Sequence, residues 1–72
     1  MIDTRALRGA IFEEYKNITD FCEAADVPRG TMDNVLNARN APTWATVEKI
    51  MHALHRKSEE QKYRIFFADE VT

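Results

Sequence analysis

One cysteine, two prolines and two glycines are all that this chain of 72 residues holds of the types that staple, break or loosen a backbone. A lone Cys22 cannot close an intramolecular disulfide, so neither a disulfide scaffold nor an oxidising compartment is indicated. With 44% apolar and 31% charged side chains and so little Pro and Gly, a disordered or loop-rich chain is excluded and packed helices are favoured. No apolar run approaches the roughly 20 residues that span a bilayer. The opening MIDTRALRG has no apolar signal core, so a soluble, cytoplasmic protein is expected. Repeats, low-complexity stretches, Gly-rich phosphate loops and nucleophile elbows are missing too, and no His neighbours Cys22 in sequence. The expectation is not an enzyme, with no metal and no cofactor.

Positive charge is also scarce. Ten Lys and Arg against twelve Asp and Glu leave a formal net charge of −2, which is awkward for a partner made of phosphates. The balance is uneven along the chain: residues 1–27 net −3, residues 28–57 net +3 and residues 58–72 net −2. The basic excess therefore begins with the segment that opens at Pro28.

What is present is helical period. Length allows a single domain, residues 1–72, with one modest core. The spacing predicts helices near 4–16, 18–25, 29–37, 43–54 and 58–67. Asp3 or Thr4 can cap the first, whose inner face is Leu7, Ala10, Ile11 and Tyr15. Gly9 in its middle costs about 1 kcal/mol relative to Ala, which fits either a close-packed neighbour or a tolerated surface position. Glu13 and Glu14 read as a solvated face. Ile18, Phe21, Cys22 and Ala25 fall at i, i+3, i+4 and i+7 behind Asn17. Asp26, Val27 and Pro28 break that helix, and Pro28 suits the start of the next.

In the third helix Met32, Val35 and Leu36 share a face, while Arg29, Gly30, Asp33, Asn34 and Asn37 fan over the opposite arc. Thr43 caps the fourth, striped by Trp44, Val47, Ile50, Met51 and Leu54. His52 and His55 near its end read as solvent-facing, favoured by the helix dipole, because no four-ligand metal cluster accompanies them. Ser58-Glu59-Glu60-Gln61 is a capping box that opens the fifth helix, followed by a tail to residue 72. Residues 63–67 also admit a short strand. The predicted core is Leu7, Ile11, Phe21, Cys22, Val35, Leu36, Trp44, Val47, Ile50 and Leu54. Ile65, Phe66 and Phe67 exceed what one face of a short helix buries, so they are expected at a homodimer interface.

The segment NITDFCEAADVPRGTMDNVLNAR, residues 17–39, resembles the Cro/CI-type, lambda repressor-like helix-turn-helix. A small residue follows the central apolar one (Cys22 after Phe21), a turn leads to a polar helix, and Pro42 opens the next helix. LRGAIFEEY at the start and YRIFFADEV at the end resemble small Cro-like regulators of Gram-positive phages, so the likeness spans nearly the whole chain. It implies an all-α, five-helix DNA-binding domain with the helix-turn-helix at about 17–38. It further implies a bacterial, nucleoid-associated repressor that binds a double-stranded operator as a homodimer.

Carried onto this sequence, the resemblance assigns base contacts to Arg29, Gly30 and Asn34, and phosphate contacts to Asn17, Asn37, Arg39 and Asn40. The chain departs from the family at four positions. Ile18 replaces a Gln that touches DNA or braces the reading helix, Asp26 replaces a turn Gly, Leu36 replaces an acidic partner of a helix 1 Arg, and Ala38 replaces a C-terminal Gly. Without the resemblance, Arg29 and Asn34 are ordinary solvated surface. The competing reading is an antirepressor or modulator that uses the same fold to bind a repressor protein, favoured by Asp33 on the exposed arc and by Ile18.

Overall fold

The computed structural model describes residues 2–67, which form five α-helices in chain order and no strand. Each start is explained by a local bond. Asp3 accepts from the Ala6 N–H at 3.0 Å and opens α1 (Thr4–Glu14). Asn17 accepts from the Asp20 N–H at 2.8 Å and opens α2 (Ile18–Ala25). Thr43 does the same for the Thr46 N–H at α4 (Trp44–Ala53). At α5 (Glu59–Phe66) both bonds of the Ser58/Gln61 capping box are made. Residues 63–66 are thus helical. Only α3 (Arg29–Leu36) starts without a side-chain cap, relying on Pro28 with φ at −58°. The tail expected at residues 68–72 lies outside the described residues.

All five helices feed one apolar core. Leu7, Ile11, Phe21, Met32, Ile50 and Leu54 have no exposed surface. Around them pack Ile18, Cys22, Val35, Leu36 and Val47, so the apolar replacements at Ile18 and Leu36 are both filled by burial. Tyr15 sets its ring edge-on to Phe21, with centroids 5.2 Å apart. α4 packs chiefly on α2, and α1 touches α2, α3 and α5. The Asp3 N–H also donates to the Ile65 carbonyl at 2.8 Å, tying α5 to the segment that precedes α1.

Three expectations are corrected, and the choice left open at Gly9 is resolved. Trp44 is 60% exposed and not core: as the first residue of α4 it sits at the helix edge, where its ring meets Phe67 instead of α2. Ile65 and Phe66 are buried in the chain, 6% and 4% exposed, so these two are not free for a partner. Nothing lies within 4 Å of where a Cβ on Gly9 would stand, so no close neighbour requires that glycine. Glu14 is not solvated. Its side chain is 1% exposed, because the end of α1 abuts the end of α4.

That junction holds the two helix ends together. Glu14 Oε1 accepts from the Arg56 N–H at 3.1 Å and lies 3.4 Å from His55 Nδ1, while Oε2 has no partner among the described residues. The Tyr15 hydroxyl donates to the Ala53 carbonyl at 2.7 Å, satisfying one of α4's orphan acceptors. Burial pushes the Tyr15 phenol above its ordinary value of 10.0, and the neighbouring Glu14 pushes it further. A raised folded-state pKa contributes stability that is complete below about pH 10 and is lost as pH rises through the folded value. Tyr15→Phe is expected to cost about 1 kcal/mol at neutral pH and to flatten the alkaline loss of stability. Urea midpoints of both proteins at pH 8 and pH 11 test this. Parallel alkaline losses in the two would refute it.

Candidate nucleic-acid interface

Two left-handed residues set the position of α3. Asp26, at φ 59°, ends α2. The Val27 N–H reaches back to the Cys22 carbonyl at 3.1 Å and the Asp26 N–H to Glu23. Val27 itself is buried, which completes a Schellman stop with its apolar anchor. Ala38, at φ 55°, repeats the device after α3: its N–H donates to Val35 and the Arg39 N–H to Asn34 at 3.0 Å. Ala38 thus makes the left-handed turn that a C-terminal Gly would make. Lys49 of α4 donates to the Asp26 carbonyl at 3.3 Å and clamps the first of these turns.

Between the turns, α3 buries Met32, Val35 and Leu36 and leaves the opposite arc polar. Arg29 and Gly30 are exposed, Asp33 and Asn34 half-buried, and Asn37, Arg39 and Asn40 exposed beyond the helix. Six of the seven residues assigned from sequence thus lie on α3 or on the turn that ends it. Asn17 stands apart on α2, its Oδ1 engaged as a cap. Thr19, two residues on, nonetheless reaches α3: its Oγ1 accepts from Arg29 Nη1 at 2.8 Å.

Arg29 is held on a second side. Its Nε donates to Asp33 Oδ1 at 3.0 Å, one helical turn along. The i,i+4 spacing of Arg29 and Asp33 was legible in sequence, but the approach of Thr19 was not, since only the turn angle brings α2's first turn alongside. Cys22 lies behind this cluster and is 6% exposed. Burial pushes its thiol up, Arg29 pulls it down and Asp33 pushes it up again, so the group stays a protonated packing residue at neutral pH. Among the described residues no three His, Cys, Asp or Glu side chains converge as metal ligands.

An aromatic groove adjoins the far end of α3. Its volume is about 520 Å³, and Val35, Ala38, Pro42, Trp44, Val47 and Phe67 are among its walls. The Phe67 ring lies 4.8 Å from that of Tyr63 and 6.1 Å from that of Trp44. Tyr63 is 46% exposed. Sequence periodicity missed this cluster because it assigned Trp44 to the core.

No protein-family model, curated protein or solved structure matches the chain.

The turn at Ala38 yields a direct test. A non-glycine residue in the left-handed region carries about 1–2 kcal/mol of strain, part of which Gly's greater unfolded freedom offsets. Ala38→Gly is expected to raise stability by about 0.5–1 kcal/mol, whereas Ala38→Val lowers it. Thermal melts decide the matter, and a Gly variant that melts at or below the wild-type temperature would show the turn to be relaxed.

Proposed function

We propose that the chain is a sequence-specific DNA-binding regulator of the lambda repressor-like, helix-turn-helix type, acting as a repressor that places α3 in the major groove. The observation that supports this reading most is the outer arc of α3, a polar surface on a short helix fixed at both ends by left-handed turns. Eight residues of helix run about 12 Å, and a helix is about 10–12 Å across, dimensions that suit a major groove about 12 Å wide. Arg29 can donate twice to guanine O6 and N7, and Asn34 can pair with adenine N6 and N7. Gly30 leaves part of the first turn of the arc without a side chain. Asn37, Arg39 and Asn40 serve phosphates, which fix register without reading sequence.

The regulator pairs with a second copy through the aromatic groove, with Trp44, Tyr63 and Phe67 in place of the Ile65, Phe66 and Phe67 set. Pairing through a groove walled partly by Val35 and Ala38 would set a two-fold axis beside the end of α3, with the two reading helices facing one side of a pseudo-palindromic site.

The second reading, a module that binds a repressor protein, is favoured by Asp33. Its carboxylate sits on the same arc and neutralises Arg29, which weakens attraction to phosphates.

Selection from random duplexes followed by gel shift separates the two. On the selected operator, Arg29→Ala is expected to lose about 1–3 kcal/mol of discrimination at one base pair. Arg39→Ala weakens all sequences alike and lowers the salt slope by about one. With so few cations the overall slope is shallow. A wild-type chain that selects no operator, while a repressor that binds it is released by substitution of Asp33 or Asn34, would sink the DNA reading.

Sedimentation of the wild type should show a dimer that Trp44→Ala shifts to monomer without unfolding, since Trp44 is exposed. A wild type that stays monomeric at high concentration, with and without DNA, excludes the pairing.

A further inference from the structure

Arg29 offers five N–H groups, and two of them are committed within the chain: Nε to Asp33 Oδ1 at 3.0 Å and one on Nη1 to Thr19 Oγ1 at 2.8 Å. The three that remain sit on Nη1 and Nη2, the nitrogens that together span O6 and N7 of a guanine. A free arginine on a helix surface samples many rotamers and loses that freedom on binding. Here two acceptors on different helices hold the guanidinium from two sides before any ligand arrives. An exposed i,i+4 pair contributes little to stability, and the bond to Thr19 fixes a side chain that the core does not need.

We infer that Thr19 and Asp33 are positioning residues that preset Arg29 to read guanine. Asp33 has a second effect of opposite sign, because a carboxylate in the middle of the arc repels phosphates. It lowers affinity for DNA at large while sharpening the choice of one base pair. The inference rests on the DNA-reading function proposed above, and it turns the acidic residue that counts against that function into part of it.

The test uses the full chain, the operator that it selects, and duplexes carrying each base at the pair most sensitive to Arg29→Ala. Asp33→Ala is expected to cut guanine preference there about three- to tenfold and at the same time to raise affinity for a scrambled duplex. Asp33→Asn keeps an acceptor for Nε and so restores the preference, while scrambled-duplex affinity stays raised. Thr19→Val lowers the preference and leaves scrambled-duplex affinity unchanged. The double variant Arg29→Ala, Asp33→Ala discriminates no worse than Arg29→Ala alone.

If Asp33→Ala lowers specific and scrambled binding together, or leaves guanine preference intact, the inference is wrong and the DNA reading stands. A wild type that selects no sequence removes both.

Discussion

Helices of eight to eleven residues do not persist in water on their own. This shortness governs the rest of the structure: each helix must lean an apolar face on a shared core, and each end must satisfy backbone groups that a longer helix would dilute. The chain meets the second demand with unusual completeness. Asp3, Asn17, Thr43 and Ser58 cap four starts, and left-handed turns at Asp26 and Ala38 close two ends. The Tyr15 hydroxyl reaches a seventh terminus, the end of α4, across the fold. The exception is α3, which has no side-chain cap at its start. Its first residue is braced from outside, by Thr19, and this bond does for the helix surface what a cap would do for its backbone.

Under the DNA-reading function proposed above, the same cluster reconciles an acidic chain with base recognition. Charge at large gives non-specific attraction, and a net charge of −2 offers little of it. Base discrimination needs only a few well-placed donors. Arg29, paired with Asp33 and 53% exposed, gives up long-range field for fixed geometry. On the proposed reading, such a surface trades affinity for selectivity.

Much of this was legible in the residues. The stripes of α1 to α4, the Ser58 box and the Asn17 and Thr43 caps follow from local spacing, and local spacing decides them. The failures share a cause: each depends on which elements meet. Trp44 fits α4's stripe, yet as the helix's first residue it stays exposed and meets the ring of Phe67. Glu14 follows a solvated neighbour, yet the C-terminus of α4 lands on it and hands it the Arg56 N–H. Ile65 and Phe66 looked surplus on a short helix, but α1 and the Asp3–Ile65 bond supply a wall for them. Ala38 carries the conformation a glycine would, because the Schellman bonds to Val35 and Asn34 demand it whatever the side chain.

These placements connect two surfaces that sequence treats as separate. Val35 and Ala38 wall the aromatic groove, and Ala38 is also the strained residue that sets the direction of Arg39. The turn at the end of α3 is therefore part of the groove wall. The turn in turn holds the Asn34 carbonyl through the Arg39 N–H, so the last half of the polar arc shares a backbone bond with the groove wall. Arg29 lies at the other end, braced by α2 and Asp33 and out of the groove's reach. The two halves of the arc are thus held differently: Asn34 and Arg39 through the backbone turn that adjoins the groove wall, Arg29 through side chains of α2 and α3.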